Sequence, residues 1–174
     1  VNNPEGVDFD NSTQKMWIAD LSNYRVRYVD ASSGSNPLTT YLGSGRARNG
    51  FVSENEAATD SYLNNPTGIY YEAGSKKLFI ADSNNVRIRQ LDILKGTVET
   101  YVGRTGGSGL AQSYAPGTTG DPRASVYLRP PKHVYAYNSG GKNFLMWMEQ
   151  HTNLGTSRTC ALKLLNRSTT TATL

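Results

Sequence analysis

Two stretches of this chain are one unit written twice, 62 positions apart. Met16-Trp17-Ile18-Ala19-Asp20, followed by Asn23-Tyr24-Arg25-Val26-Arg27-Tyr28-Val29-Asp30, recurs as Leu78-Phe79-Ile80-Ala81-Asp82, followed by Asn85-Val86-Arg87-Ile88-Arg89-Gln90-Leu91-Asp92. Repetition over that length with identical internal spacing points to an array of one small β-rich unit, not to a single irregular core.

The second copy is the easier to read. Asn65-Pro66-Thr67-Gly68 is expected to turn, because Pro presets φ and Gly tolerates positive φ. Ile69-Tyr70-Tyr71 then reads as a short strand, residues 72–77 as a hairpin loop, and Leu78 to Ala81 as a strand buried on both faces. After the Asp82-Ser83-Asn84-Asn85 turn, residues 86–91 alternate as a strand with one face on a core. Leu94-Lys95-Gly96 turns the chain into a fourth strand over Thr97 to Val102. Four short antiparallel strands cannot bury both faces alone, and stacking such sheets radially is the logic of a propeller blade.

The same course runs three times. Blade one is expected over 1–43, blade two over 63–103 and blade three over 128–174. In blade three, Leu128-Arg129-Pro130-Pro131-Lys132-His133-Val134-Tyr135 stands for residues 63–70, and Phe144-Leu145-Met146-Trp147-Met148-Glu149 stands for residues 77–82. Connectors 44–62 and 104–127 lie between the blades. They share a Gly-rich start and matched ends, Ser61-Tyr62-Leu63 and Val126-Tyr127-Leu128. Structureless loops of this length are usually functional or disordered, and two equivalent ones are expected to line one rim.

Asn-Pro-x-Gly before the first strand, the Leu-Phe-Ile-Ala-Asp strand end and the Asn-x-Arg-Ile/Val-Arg strand resemble the NHL-repeat family of β-propellers. The long Gly-rich connectors resemble a subtype seen often in bacterial and extracellular NHL proteins. The likeness covers nearly the whole chain. Blade three departs from it, with His133 for the turn Gly and Glu149 for the Asp. The resemblance implies an all-β propeller of three four-stranded antiparallel NHL-type blades, part of a larger, about six-bladed one. It says little about function, because NHL propellers include RNA binders, protein-interaction modules, receptor sensors and a lyase. Propellers typically need about 4–8 blades to close, so three blades are expected to need further blades, from a longer polypeptide or a second chain.

The chain opens Val1-Asn2-Asn3-Pro4 without an initiator Met, which reads as a mature or excised piece. It has no apolar run near the ~20 residues that cross a bilayer. Its single cysteine, Cys160, excludes an intrachain disulfide, and the alternation Cys160, Leu162, Leu164 reads as a buried small hydrophobe. Net charge of +4 is a mild excess with no basic run that tracks a phosphate backbone.

Candidate residues divide into repeated and variable ones. Asp20, Asp82 and Glu149 stand at equivalent strand ends and either ring a cation or serve the following turn and Arg25 and Arg87. The pairs Arg25/Arg27 and Arg87/Arg89 put both side chains on one face, as a phosphate-binding stripe or as partners of the repeat Asp residues. On the connectors, Arg46, Arg48, Phe51, Tyr62, Arg104, Tyr114, Arg123 and Tyr127 make an expected rim for protein or glycan, unless the tyrosines pack over the blade edge. His133 and His151 are the only histidines, too few for the usual catalytic zinc site. Asn11 and Asn166 head N-glycosylation tripeptides.

The resulting expectation is a non-enzymatic extracellular or cell-surface binding, adhesion or assembly module. It needs no cofactor or metal, and its partners are other protein chains, further blades or a glycan. Nucleic acid is not expected as a partner, and an RNA-binding module and a propeller lyase or hydrolase stand as the alternatives.

Overall fold

The computed structural model describes residues 1–47, 55–103, 128–152, 158–167 and 172–173, with backbone alone for residues 151, 152, 158, 159, 172 and 173. Each repeat forms one antiparallel sheet. In the first, β1 (Pro4–Asp10), β2 (Lys15–Asp20), β3 (Arg25–Asp30) and β4 (Thr39–Leu42) lie in chain order. β5 (Glu56–Ala57) comes from the first connector. It joins β6 (Pro66–Glu72), β7 (Lys77–Asp82), β8 (Arg87–Asp92) and β9 (Thr97–Val102) in the order β5-β9-β8-β7-β6. The third sheet holds β10 (Pro131–Ser139), β11 (Lys142–Thr152), β12 (Arg158–Asn166) and β13 (Ala172–Thr173), again in chain order. Pro4 pairs with Asp20, Pro66 with Asp82 and Pro131 with Glu149, so the three sheets share one register.

The sheets bury their faces against one another. We call the face turned to the following blade forward and the opposite one rear. Trp17, Ala19, Val26 and Leu42 on the forward face of blade one meet Ile69, Leu78, Ile80, Leu91 and Val98 on the rear face of blade two. The next seam sets Phe79, Ala81, Ile88 and Val102 of blade two against Val134, Ala136, Leu145, Trp147 and Leu165 of blade three. Blade two is therefore covered on both sides, and β7 is buried from Leu78 to Asp82. β8 is buried from Arg87 to Leu91, where a single core-facing side was expected. Trp17 is the aromatic hub of the first seam, with ring centroids 4.8 Å from Tyr28 and Tyr41 and 5.7 Å from Tyr71.

Two expectations are corrected. Asn65-Pro66-Thr67-Gly68 is not a turn, because β6 already begins at Pro66, with a bulge before Ile69. Gly68 is needed for space: a Cβ there would lie 2.6 Å from the Cα of His133 and from the Lys132 carbonyl oxygen. Gly6 is in the same position, 2.1 Å from the Thr67 carbonyl oxygen. The repeated glycine thus marks where consecutive inner strands touch backbone to backbone.

Cys160 is exposed, not buried. It pairs with Gln150 on β11, and the alternation Cys160, Leu162, Leu164 runs along the forward face of blade three, whereas the next residue, Leu165, faces the core. Leu162 is correspondingly exposed.

Candidate functional site

The repeated polar residues form a structural node in each of the first two blades. β2 ends in Asp20 and β7 in Asp82; short 3-10 turns, Leu21–Asn23 and Ser83–Asn85, follow. Asp20 Oδ1 accepts the Asn2 N–H at 2.7 Å, and both carboxylate oxygens lie 2.9 Å from Asn23 Nδ2. Asp82 repeats this, taking the Asn64 N–H at 2.7 Å and Asn85 Nδ2 at 2.9 Å. Each carboxylate thereby ties the entry of the inner strand to the turn after the second strand. Burial pushes the Asp82 carboxyl up to about 6, against the opposing pull of the Asn64 amide, Asn85, Arg89 and Arg87.

In blade three Glu149 is buried and accepts the Trp147 indole N–H at 2.9 Å. No group of three or more His, Cys, Asp or Glu placed to hold a metal ion occurs among the described residues.

The arginine pairs do not make a surface stripe. Arg87 and Arg89 are buried, and Arg89 Nη1 donates to Thr100 Oγ1 at 3.1 Å. Arg27 repeats that bond to Thr40 Oγ1 at 2.6 Å. Arg27, not Arg25, is the cation beside Asp20, with Nε 3.9 Å from Oδ2 and within one blade. Arg25 instead donates to the Ser44 carbonyl at 3.3 Å. These guanidiniums hold blade edges and the start of the first connector, and Arg87 and Arg89 are closed to a phosphate backbone. The RNA-binding alternative loses the stripe on which it rested.

Of the rim residues, Arg46 is exposed and Tyr62 half-buried. Arg48, Phe51, Arg104, Tyr114, Arg123 and Tyr127 lie outside the described residues. The described part of the first connector is held by backbone bonds: Gly43 N–H to Ala58 at 2.9 Å, Ser44 N–H to Ser61 at 2.8 Å, and Ala58 N–H to Gly96 at 2.9 Å. Such bonding, with strand β5, fixes its end along the outer strand of blade two.

Asn11 is exposed in the β1–β2 turn, where Asp10 accepts bonds from the Ser12 and Thr13 hydroxyls at 2.6 Å. Asn166 closes β12 and is half-buried.

Sequence reasoning missed one grouping. His133 and Lys132 on β10, Met148, Glu149 and Gln150 on β11, and Cys160 on β12 line an open cleft of about 430 Å³ with Glu5 of blade one. His133 sits opposite Met148, and Gln150 opposite Cys160. Only strand register brings these residues together; no local spacing signals it. The side chain of His151 lies outside the described residues.

No family model matches the chain. Its sequence is 32% identical over 101 residues to NHL repeat-containing protein 2 of Bos taurus, a match covering 58% of this chain and 13% of that protein. The Homo sapiens protein of the same name is 29% identical over 93 residues, covering 53% of this chain and 12% of that protein. The chain therefore spans about an eighth of the length of these curated relatives.

Among solved structures, a Bacteroides thetaiotaomicron structural genomics protein of unknown function aligns with TM-score 0.58 at 16% identity, over 82% of this chain and 32% of that one. An auxiliary nutrient binding protein from the same organism aligns with TM-score 0.55 at 18% identity, over 80% and 33%. A third chain from that organism, at TM-score 0.56 and 18% identity over 81% and 31%, carries a provisional phosphatase designation.

Three antiparallel sheets stacked face to face define a protein of the β-propeller-blade class. In its repeated motif and in its match to relatives of that name, the chain is similar to the NHL-repeat proteins.

Proposed function

We propose that this chain is a non-catalytic binding and assembly module that works outside the cell or at its surface, engaging protein or glycan through the loops between blades. The observation that carries this reading is where the charged repeat residues are spent. Asp20 and Asp82 bind the backbone and Asn side chains of their own blades, and Arg27 and Arg89 bind Thr40 and Thr100. The repeated polar chemistry serves the framework, so ligand chemistry falls to the parts that differ between blades. Those parts are the connectors, with Arg46 exposed on the first, and the open blade faces. Low charge and an Asn-, Ser-, Thr- and Gly-rich composition suit an extracellular setting, and the nutrient binding protein is a structural neighbour with a binding role.

Protease shaving of intact cells tests the location: the chain should be clipped while a cytosolic marker stays whole, and joint protection of both would refute it. Replacing Arg46 by Ala should lower capture of a surface partner or glycan several-fold without changing the circular dichroism spectrum. Unchanged capture would remove the rim from the reading.

A further inference from the structure

Blade three departs from the repeat at one end of its sheet, and the departures share one cleft. Register places Glu5, Thr67 and Lys132 at one position of successive inner strands, each directly after the proline that opens the strand. The next position holds Gly6, Gly68 and His133. On the second strand, Ala19 and Ala81 give way to Met148, and the residue after the carboxylate node changes from Leu21 and Ser83 to Gln150. Short side chains of the framework are thereby exchanged for longer ones that carry an ammonium, an imidazole, a thioether and an amide.

The backbone changes with them. β2 and β7 stop at Asp20 and Asp82 and enter 3-10 turns. β11 instead runs on past Glu149 to Thr152 and keeps its pairing with β12, which sets Gln150 opposite Cys160. In blade two the polar groups at these positions are spent on the framework: Thr67 Oγ1 lies 3.0 Å from Ser83 Oγ, and both hydroxyls reach the Pro131 carbonyl. In the cleft the side chains of Glu5, Lys132, His133 and Gln150 make no hydrogen bond or ion pair with any described residue. Four polar side chains from two blades thus converge on open space with their bonding capacity unused.

The charges oppose each other across that space. Glu5 enters from blade one, and Lys132 and His133 from blade three. A simple anion is repelled by Glu5 and a simple cation by Lys132, whereas a molecule that carries both charges satisfies both walls. No aromatic ring is among the described residues that line the cleft, so a sugar has no face on which to stack. Met148 and Cys160 supply the apolar wall, a free thiol behaving as a small hydrophobe. The volume of about 430 Å³ falls within the roughly 300–1,000 Å³ of small-molecule sites.

We propose that this cleft binds a small zwitterion, an α-amino acid with an apolar side chain. Its carboxylate lies on Lys132 and His133, its ammonium group on Glu5, and its side chain against Met148 and Cys160. Gln150 serves either polar end.

Calorimetric titration of the full chain with L-methionine and L-leucine tests this, and at least one should bind saturably. N-acetyl-L-methionine and L-methionine amide, each lacking one of the two charges, should bind at least tenfold more weakly than L-methionine. Glu5→Gln and Lys132→Gln should each weaken the native interaction at least tenfold, with far-UV circular dichroism confirming the β-sheet signal. If Lys132→Gln loses that signal, Glu5→Gln and the two blocked ligands carry the same comparison. Cys160, the single cysteine of the chain, reports the place: saturating amino acid should slow its alkylation by iodoacetamide at least threefold. Saturable binding of neither amino acid would overturn the proposal. So would binding that survives both substitutions in folded variants, or that leaves the alkylation rate of Cys160 unchanged.

Discussion

Arg167, one residue past β12 in blade three, reaches across the second seam to Glu72 at the end of β6. The two groups pair as a fork, Nη1 to Oε1 at 2.5 Å and Nη2 to Oε2 at 3.1 Å. The guanidinium also lies 4.9 Å above the Phe79 ring centroid, and its Nε donates to the Tyr101 hydroxyl at 3.1 Å. A planar cation with fixed donors is held on three sides at once, which a lysine cannot reproduce. Residues 95 positions apart are thereby joined across two blades.

Arg167→Ala should therefore destabilise the chain by ~2–3 kcal/mol, since it strands a half-buried carboxylate as well as losing the ring contacts. Arg167→Lys should recover less than half of that loss. Burial pushes Glu72 up, but the bonds from Arg167 and Ser75 outweigh it and hold its carboxyl below the ordinary value. The pair's contribution is accordingly present above the usual Glu range and lost as pH falls through the lowered value. Urea unfolding of the native, Arg167→Ala, Glu72→Gln and double variants checks the coupling, and additive losses would show that the pair acts as two independent residues.

The repeated glycines should tolerate no side chain. Gly6→Ala and Gly68→Ala each place a methyl against backbone on the neighbouring blade, an overpacking expected to cost ~1–3 kcal/mol. Gly74→Ala is the control: among the described residues nothing lies within 4 Å of a Cβ placed there, and its φ is not positive, so it should be neutral or stabilising by ~0.4–1 kcal/mol. Thermal unfolding of the three single variants separates the two outcomes.

The strands were legible because the motif repeats. Ile-Ala-Asp and Arg-x-Arg fall at matching positions, and the sheet order follows from short turns between them. The role of Gly68 was not legible. Within its own unit, Pro66-Thr67-Gly68 looks like a turn, whereas the contact that demands glycine comes from Lys132 and His133 of the next blade. Cys160 shows a second limit. Period-two alternation divides β12 into two faces but does not say which one is inward, and Leu164 and Leu165 support opposite choices. Packing of Leu165 against blade two decides it. The cleft beside His133 needed cross-strand register, which no single-strand pattern contains.

The two tryptophans should respond differently to loss of the indole nitrogen. Trp17 is buried, its Nε1 finds no hydrogen-bond partner among the described residues, and it stands where blade two carries Phe79. Trp17→Phe removes that unsatisfied donor along with some volume, and should cost only about 1 kcal/mol. Trp147 donates to buried Glu149, so Trp147→Phe withdraws a bond from a buried carboxylate and should cost ~2–3 kcal/mol. Urea midpoints of the two variants give the comparison, and equal losses would mean that ring volume alone sets both.

Asp82 and Asp10 should give the stability curve opposite slopes in adjacent pH windows. Asp82, pushed up to about 6 by burial, holds its proton more tightly in the folded chain than in the unfolded one, where Asp titrates near ~4. Its contribution is fully present below that unfolded value and is lost as pH rises through about 6, by an amount on the order of 1–3 kcal/mol. Asp10 is lowered to about 2 by the Ser12 and Thr13 hydroxyls and their backbone amides. Its contribution is present above the ordinary Asp value and lost as pH falls toward 2. Asp82→Asn keeps an oxygen that can accept the Asn64 N–H but has no proton to release, so unfolding free energies measured at pH 4, 5, 6 and 7 should lack the decline expected of the native chain. Asp10→Asn should leave that decline intact and flatten the acid limb instead. If Asp82→Asn and the native chain trace parallel curves from pH 4 to 7, then the Asp82 node is already ionised at acid pH and Arg89 and Arg87 outweigh the burial.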